Sequence, residues 1–390
     1  MDFEADVYIM HWESVRLLEP KFEKYGIEFS VVIGDECHAI TNLDSQMIKA
    51  TKKIQCHKRM AMSGTPSGSN PINIYSVLNW LRPHQFSDYW KFFMKYAAIA
   101  VNEDGDEGSA YKKVVGLQNV NVFHHIIEPF YIKHLKKSQC CERHPEGVAP
   151  YLPDKNYERL YVDLNVEQRR IYDEMMNEMV AWVGEQQDTP LIAKVALTKL
   201  TRLMQITLAT PVVSTVKVRK KGDDGEYYLD DKLQVDLIEP SSKMDTVVDL
   251  LQQDEKQYVV MTSSRIGARL FAERLDREGI SCELYTGEVS QTRRSSLVNE
   301  FRQRKFRVLV ATIQTIGTGT DGLQDVCDTV VFLDRTMSVV KNKQAEDRLY
   351  RIGQHHNVTI IDVVARDTIN DERLEILDGT WQSIKEFLGV

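Results

Sequence analysis

Apolar positions near the start of the chain alternate between strand-like and helix-like segments. A short strand is predicted at 6–10, and a helix-periodic segment follows it. The stretch FSVVIGDE at 29–36 is a β-branched run, which predicts a strand buried on both faces of a sheet. After a second helical segment, a third strand is predicted at 58–66, broken by Gly64 and Pro66. This order of segments predicts a parallel, doubly wound sheet.

The same alternation returns after residue 241 and continues almost to the end of the chain. The predicted elements are helix 243–251, strand 257–263, helix 267–279, strand 281–287, helix 293–303, strands 307–313 and 329–334, helix 341–353 and strand 358–365. This pattern is typical of a second, complete α/β domain.

The segment between the two alternating regions has a different pattern. Helices are predicted at 72–81, 87–100, 120–130, 165–186 and 191–206, a loop at 140–155 and a hairpin at 216–229 with its turn at Gly222–Gly225. The sequence therefore predicts a first sheet domain with a helical elaboration at 1–150, a helical linker with a hairpin at 151–240, and a second sheet domain at 241–390.

Length and composition restrict the class of protein. A chain of 390 residues is too long for one ordinary core and predicts two or three domains. Its 43% hydrophobic and 27% charged residues are ordinary for a soluble protein, and it has no apolar run long enough to span a membrane. The N-terminus lacks a signal-peptide pattern, and the six cysteines are too scattered for a disulfide framework. We therefore expect a cytoplasmic protein, either bacterial or in a virus-infected host cell.

The net charge of −8 argues against a protein that coats nucleic acid by bulk electrostatics. A local basic groove remains compatible with it, because phosphate contacts depend on where Lys and Arg lie. The stretch 293–307 holds six Lys or Arg against one Glu. A solvated helix face is the alternative interpretation of such a run.

Two adjacent carboxylates, Asp35 and Glu36, lie at the carboxyl end of the strand predicted at 29–36. Open α/β sheets bind ligands at this end of their strands. An Asp there can bind a phosphate-bound Mg²⁺, and a neighbouring Glu can orient and deprotonate a water molecule. An isolated acidic pair is more often solvated, but the preceding apolar run and the following His38 favour the magnesium interpretation. The stretch SGTP at 63–66 follows the next strand, so it is predicted to lie at the same edge; alone it is also ordinary turn chemistry.

Two further stretches carry candidate chemistry. In QAEDRLYRIGQ at 344–354, Gln344, Arg348 and Arg351 have the spacing of one helix face, and paired guanidinium groups suit a γ-phosphate. The alternative is a surface helix with salt bridges to its own Glu346 and Asp347. In TIQTIGTGTDGLQ at 312–324, small and hydroxyl residues would let the backbone approach a phosphate or a sugar.

Four Cys and His side chains between residues 134 and 144 could form a zinc site. Its candidate ligands are Cys140, Cys141, His144 and His134. Structural zinc sites usually have separated pairs of ligands, so a plain loop is favoured.

Eight motifs occur along the chain in one order. They are DVYIMHWESVRL at 6–17, VVIGDECHAI at 31–40, MSGTP at 62–66, LNWLRP at 78–83, YVVMTSSR at 258–265, TGEVSQTRR at 286–294, TIGTGTDGLQ at 315–324 and QAEDRLYRIGQ at 344–354. In this order they resemble the Snf-type (Swi/Snf-like) branch of superfamily-two helicases, over nearly the whole chain. The resemblance implies two RecA-like lobes of α/β fold that close on ATP and move along double-stranded DNA.

The resemblance also implies roles for individual residues. Asp35 would hold Mg²⁺, Glu36 would activate water, and Arg348 and Arg351 would be arginine fingers. The other implied residues are Gln344, His38, Gly319 and Asp321 for nucleotide binding, His11, Ser14, Thr262, Ser263, Thr286, Gly287, Arg293 and Thr312 for DNA binding, and Ser63, Gly64 and Thr65 for coupling the two.

The family's phosphate loop, G-x-x-x-x-G-K-[ST], has no match, since the chain contains no Gly-Lys dipeptide. Residues 1–150 are therefore expected to form only the C-terminal part of the first RecA-like lobe. We expect this chain alone not to hydrolyse ATP. Three interpretations remain open. The phosphate loop comes from a separate polypeptide that carries the N-terminal half of the helicase, the chain is an ATPase-inactive nucleic-acid-binding or regulatory module, or it is a truncated product.

Overall fold

The structure is a computed structural model, and it describes residues 5–68, 70–102, 111–137, 143–183, 189–193, 195–221, 226–317 and 320–388. The chain divides into two units. One comprises Met1–Leu135 with Asp378–Val390, and the other comprises Lys136–Leu377. The α/β class with parallel sheets that the sequence predicts is confirmed.

The first unit is built around two parallel strands. Its elements in chain order are α1 (Trp12–Lys24), β1 (Phe29–Gly34), α2 (Gln46–Lys53), β2 (Cys56–Ala61), α3 (Ile74–Leu81), α4 (Tyr89–Tyr96), β3 (Ala97–Asn102), β4 (Tyr111–Leu117) and α5 (Val120–Ile127). β1 and β2 pair in parallel, with Ile33 opposite Met60. The predicted helices before and after β1 are confirmed as α1 and α2.

Two predictions about this small sheet are wrong. Residues 6–10 form no strand. β1 is not buried on both faces, since Val31 and Ile33 are 47% and 57% exposed. The reason is the same for both: β1 pairs only with β2 among the described residues, so residues 6–10 have no ladder to join. One face of the sheet, which carries Ile33 and its neighbour Met60, is left uncovered.

An aromatic cluster organises the rest of the first unit. Tyr96 lies 4.8 Å from Phe92 and 5.4 Å from Phe123, measured between ring centroids. The helix predicted at 87–100 ends at Tyr96. The chain after it pairs antiparallel with β4, and this pairing decides the conformation there over helical periodicity.

The second unit contains a six-stranded, all-parallel sheet in the order β11–β12–β10–β13–β14–β5. Its elements are β5 (Lys155–Val162), α6 (Val166–Glu178), β6 (Val180–Val183), β7 (Thr189–Ile192), α7 (Ala196–Leu208), β8 (Thr210–Lys221), β9 (Tyr227–Ile238), α8 (Ser242–Leu251), β10 (Tyr258–Thr262), α9 (Arg265–Arg277), β11 (Cys282–Tyr285), α10 (Gln291–Arg302), β12 (Val308–Thr312), α11 (Ile313–Ile316), β13 (Thr329–Phe332), α12 (Val339–Glu346) and β14 (Val358–Ala365), followed by α13 (Ile369–Leu388). Every residue of β10 and β12 is buried, as their continuous apolar runs predict.

The segment predicted as a helical linker, 151–240, contains more strand than expected. β5 is the edge strand of the six-stranded sheet and pairs along its length with β14. The helix predicted at 165–186 ends at Glu178, because Met179 turns the backbone into the left-handed region (φ 59°) and β6 then pairs with β7. The hairpin predicted at 216–229 is confirmed as β8 and β9, which are 12 residues each, while its turn at Gly222–Gly225 lies outside the described residues. The three-part division of the chain at residues 150 and 240 stays a prediction.

The helix predicted at 341–353 ends early. α12 stops at Glu346, and residues 347–353 form successive turns. Leu349 N donates to Glu346 O at 3.2 Å, and Gln354 N donates to Arg351 O at 3.0 Å. In both hydrogen bonds the donor and acceptor are three residues apart, as in a 3₁₀ turn, instead of four as in an α-helix. Gly353, in the left-handed region at φ 99°, ends this series of turns.

Candidate functional site

The carboxylate pair lies where the sequence predicts it, directly after β1. Asp35 is exposed, and Glu36 occupies the left-handed region at φ 48°. Glu36 N donates to Asp35 Oδ1 at 2.9 Å, and Trp12 Nε1 donates to Asp35 O at 2.7 Å. Gly34 is required here, because a Cβ at this position would lie 2.8 Å from the Trp12 ring. The indole therefore fixes the main chain from which both carboxylates project.

The structure brings the SGTP stretch to these carboxylates. Ser63 Oγ lies 3.5 Å from both Glu36 Oε2 and His38 Nδ1, and His38 Nδ1 lies 3.2 Å from Glu36 Oε2. The parallel pairing continues past the strands to hold them together, with Met62 N donating to Gly34 O at 2.8 Å and Cys37 N donating to Met62 O at 3.0 Å. The prediction that the two stretches share one sheet edge is confirmed.

The turn that follows Ser63 is held by the same hydroxyl. Thr65 N donates to Ser63 Oγ at 3.0 Å, and Thr65 is buried while Gly64 is exposed. His11 and Ser14 lie at the start of α1, on either side of Trp12, and Ser14 N donates to His11 O at 3.0 Å. The residues His11, Ser14, Ser63, Gly64 and Thr65 are thus close to the carboxylates, in the chain or in space. Their roles in DNA contact and in coupling stay predictions.

The residues present fit a magnesium ion that is bound mainly by phosphate and water. Within the described part of the chain, no group of three or more His, Cys, Asp or Glu side chains could cage a metal. Asp35 offers an exposed carboxylate, which is the single ligand that a phosphate-bound Mg²⁺ takes from such a strand end. The zinc interpretation gains nothing, since Cys140 and Cys141 lie outside the described residues.

Cys37, between the carboxylates and His38, is a packing residue. It is buried, and this burial, with the nearby Glu36 carboxylate, raises the pKa of its thiol to about 12. A thiol with so high a pKa stays protonated at neutral pH and is a poor nucleophile.

In the second unit, the two predicted arginines converge on one loop. Arg348 Nη1 and Arg351 Nη1 each donate to Thr320 O at 3.2 Å, and Arg348 Nη2 donates to Gly317 O at 2.5 Å. Arg351 Nη1 also lies 3.3 Å from Asp321 Oδ1. The arginines do not share a helix face, because α12 ends before them, but the turns bring both guanidinium groups to the same place.

Gln344 faces the same loop from α12. A Cβ built on Gly317 would lie 3.9 Å from the Gln344 Cβ, an ordinary van der Waals distance, so Gln344 lies beside this loop. Gly319, predicted to bind nucleotide, lies outside the described residues. The structure therefore brings together Gln344, Arg348, Arg351 and Asp321, which came from two separate stretches of the sequence.

Hydroxyl side chains gather at the carboxyl edge of the six-stranded sheet. Thr262, at the end of β10, donates to Asp334 Oδ1 at 2.5 Å, and Ser263 N donates to the same oxygen at 2.8 Å. At the end of β12, Thr312 Oγ1 donates to Thr315 Oγ1 at 2.9 Å. Asp334 was not predicted from the sequence, although its place after the strand at 329–334 is the same signal that points to Asp35.

The neighbouring strand β11 brings its own candidates to this edge. Tyr285 OH lies 2.9 Å from Thr320 Oγ1, so Thr286 and Gly287 follow directly after a contact with the arginine-binding loop. A Cβ on Gly287 would lie 3.8 Å from Thr315 Oγ1. Arg293 differs from these residues, since it bonds to Glu300 at 2.6 Å and to Glu283 at 3.1 Å. Its guanidinium group would have to exchange these carboxylates for a phosphate to contact DNA.

Sequence reasoning missed a buried ionic cluster beside the arginines. Its members are Glu346, Arg335, Asp362, Lys155, Lys343 and Tyr157. Burial disfavours the charge on Glu346, but the nearby Arg335, Lys155 and Lys343 outweigh it and lower the pKa of this carboxyl to about 2. The sequence held only one signal for it, an acidic residue within the helix predicted at 341–353.

Two family models match the chain. The model of the SNF2-related domain matches residues 1–210, and that of the helicase conserved C-terminal domain matches residues 242–353. The chain belongs to the SNF2-related family. The resemblance noted from the eight motifs is thus confirmed.

Relatives of this SNF2-related protein are distant in sequence. YwqA of Bacillus subtilis (strain 168), whose name marks it as a candidate ATP-dependent helicase/translocase, is 22% identical over 98% of this chain and 39% of its own length. The chromodomain-helicase-DNA-binding protein 1-like of Danio rerio is 23% identical over 88% of this chain and 30% of its own length. The chain therefore spans well under half of these relatives.

Similar solved structures include the C-terminal part of the Fun30 ATPase domain, with a TM-score of 0.41 and 16% identity over 60% of this chain and 98% of the other. A Sulfolobus solfataricus SWI2/SNF2 ATPase core in complex with double-stranded DNA gives a TM-score of 0.39 and 20% identity over 95% of this chain and 73% of the other. Among the described residues of the SNF2-related chain, no helix is both long and apolar enough to cross a membrane.

Proposed function

We propose that this SNF2-related chain provides part of the ATP site and of the DNA path of a double-stranded-DNA translocase. The observation that carries the proposal is the cluster of Glu36, His38 and Ser63 at the ends of two parallel strands. A carboxylate held by an imidazole and a hydroxyl beside an exposed Asp is suited to orient water next to a metal-bound phosphate.

In this proposal Asp35 holds Mg²⁺, which when bound neutralises charge on the phosphates of ATP. Glu36 takes a proton from the attacking water at its Oε2, the oxygen that His38 and Ser63 face. His38 keeps this carboxylate in one orientation. Ser63 links the Glu36 carboxylate to the turn that contains Gly64 and Thr65, because its hydroxyl faces Glu36 and also accepts a hydrogen bond from Thr65 N.

Arg348 and Arg351 are proposed as the cations that stabilise charge on the γ-phosphate during hydrolysis. Both groups now bind main-chain carbonyls of the loop at Gly317 and Thr320. A guanidinium group that moves from a neutral carbonyl to a phosphate gains a stronger acceptor. Arg351 would also exchange its contact with the Asp321 carboxylate for the phosphate. Gln344, Gly319 and Asp321 are proposed to bind nucleotide from the same loop region.

The strand-end residues are proposed to contact DNA. They are His11, Ser14, Thr262, Ser263, Thr286, Gly287, Arg293 and Thr312. Small hydroxyl residues can bind phosphate oxygens without reading base sequence, which suits movement along a duplex. The proposal of double-stranded DNA as the partner also takes support from the SWI2/SNF2 core whose structure contains that ligand.

The phosphate-binding loop is proposed to come from a polypeptide segment outside these 390 residues, on a separate N-terminal half of the helicase. The uncovered face of the β1–β2 sheet, with Val31, Ile33 and Met60 exposed, is where further polypeptide would pack. An ATPase-inactive nucleic-acid-binding module is the second candidate, and the experiment below separates the two.

The test measures ATP hydrolysis by the chain alone and mixed with a polypeptide that supplies the phosphate loop, each with and without duplex DNA. We expect hydrolysis only in the mixture, stimulated by DNA. Glu36→Gln should lower kcat by roughly 100-fold or more, because the base is lost while the shape is kept. Glu23→Gln, on an exposed position of α1, is the matched control and should leave kcat unchanged.

Two results would contradict the proposal. Hydrolysis by the chain alone at the rate of the mixture would show that no outside segment is needed. DNA binding without hydrolysis in any mixture would support the binding module instead.

A further inference from the structure

The side chains of the turns after α12 make two groups of contacts. We call residues 347–351 the arginine segment. Arg348 and Arg351 contact the loop at Gly317 and Thr320. Asp347 and Tyr350, which directly precede the two arginines, contact two lysines instead. We call these contacts the lysine side. The segment is therefore held between two groups of contacts.

Lys155, the first residue of β5, makes the closest of the contacts on the lysine side. Its Nζ donates to Asp347 Oδ1 at 2.8 Å and lies 4.8 Å from the centroid of the Tyr350 ring. Lys136 supports the same two residues, with Nζ 3.1 Å from Asp347 Oδ2 and donating to Tyr350 O at 3.0 Å. Both lysines thus bind the residues that precede the two arginines.

Glu346 connects Lys155 to the end of α12. Its side chain is fully buried, and its Oε2 accepts from Tyr157 OH at 2.9 Å and from Lys155 Nζ at 3.3 Å. Its Oε1 accepts from Arg335 Nη1 at 2.7 Å. Arg335 is fixed in turn by Asp362 on β14, through Nε at 2.5 Å and Nη2 at 3.0 Å. The last residue of the helix is thus tied to two strands of the sheet.

The main chain of Glu346 also forms the first of the turns. Its carbonyl accepts from Leu349 N at 3.2 Å and from Tyr350 N at 3.3 Å. A rotation of Glu346 would therefore move the main chain that carries Arg348. A buried ionic cluster is a costly way to gain stability, because apolar residues of similar volume usually serve as well or better. It does fix one arrangement, since any shift would leave a buried charge unpaired.

We propose that Glu346 and Lys155 are positioning residues that hold the arginine segment in register, so that both guanidinium groups are presented together. This inference rests on the proposed function of Arg348 and Arg351. Neither positioning residue touches the nucleotide; each acts through Asp347, Tyr350 and the turn at the end of α12.

The experiment uses four variants of the full chain. Glu346→Gln removes the buried charge at constant shape, Lys155→Met removes the cation, and Lys155→Arg keeps it. Glu167→Gln is the matched control, because Glu167 also pairs with a cation three residues away, Arg170, but at the surface of α6. Hydrogen exchange is measured for the amides of 347–351, and kcat and KM for ATP are measured in the hydrolysing mixture.

We expect Glu346→Gln and Lys155→Met to speed exchange within 347–351 while exchange in β10 and β12 stays slow. We also expect kcat to fall roughly 10- to 100-fold with KM changed less than about threefold, since small displacements of charged groups have effects of this size. Lys155→Arg should restore most of kcat, and Glu167→Gln should match the wild type.

Unchanged exchange in 347–351 in both variants would overturn the inference. Exchange that rises equally throughout the second unit would do the same, since it would show a purely structural role. If the wild-type mixture hydrolyses no ATP, the proposed function fails, while the exchange experiment still decides whether Glu346 and Lys155 position the segment.

Discussion

At the scale of single residues, charge has different consequences at the two carboxylates of greatest interest. Glu36 is half exposed and meets His38 and Ser63, so it remains accessible to water. Glu346 is fully buried and meets Arg335, Lys155 and Lys343, so it is committed to its partners. An accessible carboxylate suits a base, whereas a buried and fully paired one suits a fixed structural position.

The buried pairing of Glu346 predicts a dependence of stability on pH. Its folded-state pKa, about 2, lies below its ordinary value of 4.5. The stabilisation from its charge, about 3 kcal/mol, is therefore present above pH ~4.5 and is lost as pH falls toward 2. Chemical unfolding measured from pH 6 to pH 2.5 should show a steeper loss of stability for the wild type than for Glu346→Gln. Equal slopes would contradict the pairing.

At the scale of elements, pairing partners and helix ends decided conformation more than periodicity did. The helix predicted at 341–353 stops at Glu346, where the side chain finds ionic partners instead of continuing an exposed helix face. α10 ends in a different way, through left-handed Arg304 at φ 57°. Arg304 N donates to Phe301 O at 2.9 Å and Lys305 N donates to Glu300 O at 3.1 Å, which together satisfy the last carbonyls of the helix.

This helix end offers a stabilising substitution. Arg304→Gly should raise the free energy of unfolding by about 0.5–1 kcal/mol, because glycine adopts the left-handed region without the steric cost that arginine has there. Lys305→Gly, one residue on and not in that region, is the control and should not stabilise. Urea unfolding of the second unit measures both. A destabilised Arg304→Gly would show that the arginine side chain contributes more than its backbone costs.

At the scale of the whole molecule, the two units differ in how completely their sheets are covered. The second unit has six parallel strands, with every residue of β10, β12 and β13 buried. The first unit has two parallel strands, β1 and β2, with apolar side chains exposed on one face. Further polypeptide that packed on this exposed face of the β1–β2 sheet would bury apolar surface.

This difference predicts where an added segment binds. Ile33→Thr should weaken association with the polypeptide that supplies the phosphate loop by roughly 10-fold, because an apolar contact is replaced by a hydroxyl. Leu233→Thr, at an equally exposed position on β9, is the control and should leave association unchanged. Isothermal titration measures both. Equal affinities for Ile33→Thr and the wild type would remove this face from the proposed interface.

The sequence by itself determined the α/β class, the order along the chain of the strands that carry the motifs, and the shared sheet edge at which Glu36 and His38 meet Ser63. These features depend on local runs of apolar residues and on the rule that adjacent parallel strands end at one edge. Only the tertiary structure decided that β5 joins the sheet, that residues 6–10 do not, and that α12 ends at Glu346. Those outcomes depend on contacts between residues far apart in the chain, such as Lys155 and Glu346, which no local pattern records.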